Sequence, residues 1–179
     1  MKKDNKFKLE GFKCFSWNRV NAPNGCIATC VREEYAMDTL KMAEGKDQEY
    51  IITRHGQFSP AINILNIYGS QETRQSKEEI ENKWDEITNE ILKIEAKNES
   101  LLIIGDLNLH VGKAVPNNHS KTSVRGKLLL NLIESSNYTL VNALDITTGG
   151  PFTRYERNTL DDENRKSLLD GVSQKTPTV

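Results

Sequence analysis

Cysteine and histidine are scarce in this chain. Three thiols (Cys14, Cys26 and Cys30) and three imidazoles are scattered over 179 residues, with no C-x-x-C pair and no histidine near the thiols. That set excludes a zinc framework and reads as reduced cysteines. Long apolar runs are missing as well: no stretch approaches the roughly 20 residues needed to cross a bilayer. The opening MKKDNKFKLEGFK carries charge but no apolar leader core. The chain therefore reads as nuclear or cytoplasmic without a membrane partner, and the Asn-x-Ser/Thr triplets at Asn98, Asn118 and Asn137 read as chance matches. A dominant charge sign is also lacking, since 24 basic residues face 25 acidic ones for a net charge of -1. No global positive field would draw in nucleic acid, so any such role must rest on a local site.

With 36% hydrophobic and 27% charged residues, the composition is that of one polar globular domain. Residues 11–17 and 25–31 are β-favouring runs around the turn-rich Asn21, Pro23, Asn24 and Gly25, the pattern of a hairpin. After a charged loop, 49–53 and 61–68 repeat the arrangement around His55, Gly56, Ser59 and Pro60. Ser76 stands three residues before Glu79, and Ile80, Trp84, Ile87, Ile91 and Ile94 follow at helical spacing, which predicts an amphipathic helix over about 77–97. Leu101 to Ile104 are apolar on both parities, as in a strand covered on both faces. A polar loop over 114–124 leads to a helix near 126–136, with Asn137 suited to a left-handed C-terminal cap, then strands at 138–142, 152–155 and 167–170. Residues 1–10 read as a poorly ordered N-terminus and 171–179 as a tail without periodic signal.

The informative stretch is LLIIGDLNLHVGK, residues 101–113. A buried strand ends there in an acid, Asp106, and an amide, Asn108, one residue apart. An unpaired carboxylate costs several kcal/mol inside a sheet, so Asp106 belongs at the exit. Two readings stay open on the residues alone. One is a turn in which Asn108 satisfies backbone groups. The other is a site at the carboxyl edge of a sheet, with both side chains turned toward a substrate. An EF-hand fails because His110 and Gly112 fall out of place, and the P-loop pattern is absent. Two further strand ends, Tyr68 after INILNI and Asp170 after SLL, match the second reading. The histidines weigh less: His110 reads as a loop residue beside the acid, His55 and His119 as surface residues.

INILNIYG (62–69), LLIIGDLNLHVG (101–112), RGKLLLNLIESSNYTLVN (125–142), FTR (152–154) and SLLD (167–170) occur in the order seen in the endonuclease/exonuclease/phosphatase superfamily. Residues 11–170 resemble that superfamily, above all the apurinic-endonuclease-like domain of non-LTR retrotransposons. The resemblance implies an α/β fold, a partial four-layer α-β-β-α sandwich with mixed β-sheets. It implies a magnesium-dependent phosphodiesterase acting on DNA, in which Asp106 orients or deprotonates the attacking water, Asn108 holds that water and a phosphate oxygen, Tyr68 hydrogen-bonds the phosphate, and Asp170 orients a histidine. The family's first-strand Asn, its metal-binding Glu and its terminal Ser-Asp-His find no counterpart, and Gly171 stands where relatives carry an aromatic. The expectation is thus a truncated domain with impaired catalysis and with sheet edges exposed to self-association. The alternative is a nucleic-acid or protein binding module that keeps the scaffold.

Overall fold

The computed structural model describes residues 7–18, 26–45, 49–114, 121–141 and 173–175. Its elements are strands β1 (Phe12–Asn18), β2 (Cys26–Arg32), β3 (Thr39–Glu44), β4 (Tyr50–His55), β5 (Ile62–Tyr68), β6 (Ser100–Asp106), β7 (Tyr138–Leu140) and β8 (Ser173–Lys175), with helices α1 (Lys77–Glu95) and α2 (Val124–Ser135). β1 and β2 make a two-stranded antiparallel ribbon. The other strands make a mixed six-stranded sheet in the order β3-β4-β5-β6-β8-β7. β5 and β6 run parallel in its centre, and every other pairing in that sheet is antiparallel.

Alternation on β5 explains the layering. Leu65 and Ile67 are buried in one core cluster with Trp84, Ile87, Ile91 and Ile94 of α1, and with Leu101 and Ile103 of β6. Asn66, on the opposite parity, donates its amide to Ala28 O at 3.0 Å and to Thr29 Oγ1 at 3.3 Å, so the β1–β2 ribbon covers the other face. The described residues thus stack a helical layer, the large sheet and the ribbon.

α1 begins where its sequence says it should. Ser76 Oγ accepts from Glu79 N while the Glu79 carboxylate accepts from Ser76 N, a complete capping box. Its five apolar positions at helical spacing are all buried. Two phenols from the sheet also reach it: Tyr50 Oη donates to Glu86 at 3.2 Å and Tyr138 Oη to Glu95 at 2.9 Å. Asn137 takes the left-handed conformation after α2, with φ of 52°.

Three sequence expectations need correction. The charged segment after β2 is not all loop, because 39–44 form the edge strand β3. Only Thr39 is buried there, and the alternating Leu40 and Met42 face solvent on an edge strand that pairs one-sidedly with β4, so the pattern is short and easily read as loop. The expected tail contains β8, whose partners β6 and β7 come from far up the chain. His55 is no surface residue. It ends β4 at 4% exposure, its Nδ1 3.3 Å from Thr39 Oγ1 and its Nε2 3.1 Å from Thr53 Oγ1. Burial lowers its pKa below the ordinary histidine value. The expected strands at 152–155 and 167–170, with Asp170, and the loop residue His119 lie outside the described residues.

Candidate functional site

The parallel pairing of β5 with β6 brings Tyr68 and Asp106 together. They are register partners, the last residues of adjacent strands at one edge of the sheet. Their strands approach unusually closely there. Gly105 has φ of 116°, and a Cβ at that position would collide with Ile67 O. A Cβ at Gly69 would likewise strike Leu107 O. The glycines flanking Tyr68 and Asp106 are therefore required by the crossing of two backbones.

The segment after Asp106 alternates in a way the sequence shows but does not explain. Leu107, Leu109 and Val111 are each 1% exposed and anchor the loop in the core. Asn108 and His110 occupy the other parity. Asp106 Oδ1 accepts from Asn108 N at 3.1 Å, an Asx turn, and Asn108, at φ of 47°, donates Nδ2 to Gly69 O at 2.6 Å. Gly69 N closes the circuit by donating to Asp106 O at 2.7 Å. Asp106, Asn108 and the residue after Tyr68 thus form one braced unit. His110 holds α2: its N donates to Ser123 Oγ at 3.1 Å and its carbonyl accepts from Ser123 N at 2.9 Å. Ser123 in turn caps α2 by accepting from Gly126 N. Both His110 bonds are made by its backbone; the imidazole itself carries a buried Nδ1 with no hydrogen-bond partner among the described residues.

Sequence reasoning missed the charged layer behind this edge. Arg125, 4% exposed, donates Nη1 to Ser70 O at 2.7 Å and to Leu107 O at 3.1 Å, and Nη2 to Gln75 Oε1 at 3.1 Å. One guanidinium therefore fastens the loop after β5 to the loop after β6. Burial pulls its pKa down, while the nearby charges of Glu49 and Glu72 oppose that shift. Glu72 accepts from Val124 N at 3.1 Å and Arg125 N at 2.7 Å, placing an anion on the positive end of α2. Glu49, 5% exposed, takes hydrogen bonds from Ser70 Oγ and, at 3.0 Å, from Lys83 of α1, and its carbonyl accepts from Tyr68 N at 2.7 Å. The one signal for Arg125 was an arginine at the start of a predicted helix, which ordinarily reads as solvated. Among the described residues no group of three or more His, Cys, Asp or Glu side chains could hold a metal ion.

No family model and no curated protein matches the chain. Solved structures do. The endonuclease domain of TRAS1, a telomere-specific non-LTR retrotransposon, superposes with a TM-score of 0.59 at 14% identity over 93% of this chain and 68% of that one. The 3′ phosphatase NExo from Neisseria, bound to product DNA hairpin, gives 0.61 at 14% identity, covering 92% and 67%. Truncated Caenorhabditis elegans TDP2 gives 0.57 at 15%, covering 93% and 63%. The mixed sheet, the covering helices and these superpositions agree, and the chain has the fold of the endonuclease/exonuclease/phosphatase superfamily.

Proposed function

We propose that this chain is a phosphodiester-hydrolase domain of the DNA-endonuclease kind, of the sort non-LTR retrotransposons carry, with impaired catalysis, working in the nucleus or cytoplasm. The observation that carries the reading is the register pairing of Tyr68 with Asp106, with Asn108 braced against both strand ends. In this reading the phosphate lies over the β5–β6 edge. The Tyr68 phenol donates to a non-bridging oxygen. Asp106, one of whose oxygens is held by Asn108 N, uses the other to orient water and take its proton as the water attacks phosphorus in line. General-base help of this kind is worth on the order of 100- to 10,000-fold. The Asn108 amide nitrogen is committed to Gly69 O, which leaves its carbonyl oxygen to position the water. Asp170 would orient a histidine in the resemblance, and that histidine has no counterpart here, which is one reason the proposed catalysis is impaired.

The described residues do not fit the magnesium that the resemblance implies. Magnesium is usually held through one or two carboxylates plus substrate phosphate, and Glu49, the acid beside Tyr68, is neutralised by Lys83. Asp106 alone makes a weak holder, and slow turnover follows. The same hydrogen bonds favour a second reading, a DNA-binding module in which Asp106 and Asn108 only brace loops. Nicking of supercoiled plasmid and cleavage of an abasic duplex, each across a magnesium series, decide between them. Slow cleavage abolished by Asp106→Ala supports the hydrolase. Salt-dependent DNA binding with no cleavage selects the binding module, and cleavage indifferent to Asp106→Ala overturns the site.

A further inference from the structure

Cys14 and Cys30 face each other across the ribbon. They are register partners in β1 and β2, and Cys30 Sγ donates to Cys14 Sγ at 2.7 Å. Directly opposed residues of antiparallel strands have Cα atoms about 4.5–5.5 Å apart, inside the roughly 4.4–6.8 Å that a disulfide spans. Both thiols are free and half-buried. Sequence spacing hid the pair, because fifteen intervening residues look unrelated to any cysteine motif until the strands are laid side by side.

We propose that Cys14 and Cys30 form a reversible intramolecular disulfide with a low-molecular-weight disulfide such as oxidised glutathione as the oxidant. The Cys14 thiolate, which the Cys30 S–H already faces as donor, attacks one glutathione sulfur. The glutathione S–S bond breaks, one glutathione thiolate leaves and takes up a proton, and a Cys14–glutathione mixed disulfide forms. Cys30 then gives its proton to solvent and attacks Cys14 Sγ, expelling the second glutathione. The two protein thiols lose two electrons and two protons, and one oxidised glutathione becomes two reduced ones. Burial, then the hydrogen bond and charge of Cys14, push the Cys30 thiol up to about 11. Capping Cys14 removes the last two of those causes, so Cys30 is suited to the resolving step.

The cross-link matters because, among the described residues, the ribbon is the smaller of the two sheets. A lone two-stranded hairpin is marginal in water. This one is tied to the main sheet by Asn66 and by Lys13, whose Nζ donates to Thr39 O at 3.1 Å. Asn66 lies two residues before Tyr68 on β5, so the bond stiffens the element that backs the candidate site.

The test uses the full chain across a series of reduced-to-oxidised glutathione ratios, read by intact mass and non-reducing tryptic mapping. Tryptic peptide 20–32 carries both Cys26 and Cys30, so Cys26→Ser serves as the mapping background. The expected results are loss of two hydrogens, a link between peptides 14–19 and 20–32 in that background, and a melting temperature raised by about 5 °C or more that dithiothreitol reverses. Cys30→Ser should arrest at the Cys14–glutathione adduct. Links that need Cys26, glutathione adducts that never resolve in the Cys26→Ser background, or a fall in melting temperature on oxidation would overturn the proposal.

Discussion

Replacing Arg125 by Met keeps length and apolar bulk while removing the guanidinium that joins the two loops of the candidate site. Three charge-assisted hydrogen bonds go with it, to Ser70 O, Leu107 O and Gln75 Oε1. Each is worth about 1.5–3 kcal/mol in isolation, but they are not additive, and the desolvation that lowers the Arg125 pKa is relieved at the same time. Breaking one partner of a buried charged network typically costs about 3–5 kcal/mol. The lower end applies here, since Glu72 keeps its helix-capping bonds to the backbone. At a urea dependence of about 2 kcal/mol per molar, a loss of about 3 kcal/mol moves the unfolding midpoint down by about 1.5 M. Arg125→Lys retains the charge without the planar fork and should fall roughly halfway. The measurement is equilibrium urea unfolding followed by far-UV circular dichroism. A Met variant within about 0.3 M of the parent would show that the guanidinium does not hold these loops together.

Other outcomes follow from the same structure. Gly105→Ala forces a side chain into the Ile67 carbonyl at positive φ and should cost about 3 kcal/mol or more; a loss under about 1 kcal/mol in urea unfolding would mean that β5 and β6 can part. His55 has a folded pKa below its unfolded value, so the unfolded chain binds its proton first as pH falls. Stability should decline as pH drops through about 6.5 toward the lower folded pKa, and the slope should flatten in His55→Gln; an unchanged slope assigns the effect elsewhere. Leu40 and Met42, 56% and 45% exposed on the edge strand β3, should promote self-association. Leu40→Lys with Met42→Lys should shift sedimentation toward the monomer, and no shift clears that edge.

Local physics made much of this molecule readable. α1 was legible because one capping box and five apolar positions at helical spacing all agree. The β1–β2 and β4–β5 hairpins were legible because turn residues separate β-favouring runs, and Asp106 with Asn108 stood out because they come just after a run of aliphatics apolar on both parities. β3 and β8 were not legible. β3 does alternate Leu40 and Met42 with polar residues, but it turns them to solvent and pairs with its neighbour β4, so its signal was weak. β8 is three polar residues that exist as a strand only because the distant β6 and β7 offer hydrogen bonds.

By itself, then, the sequence determined where α1 starts, which strand is central and that Tyr68 and Asp106 end their strands, since these depend on neighbours a few residues away; the start of α2 reads two residues late, its Ser123 cap unrecognised. Only the tertiary structure decided that Tyr68 opposes Asp106, that Arg125 ties two loops beneath them, and that Cys14 meets Cys30. Those pairings depend on strand register and on which strands lie side by side, and register is settled by pairing and packing between segments that composition alone does not align.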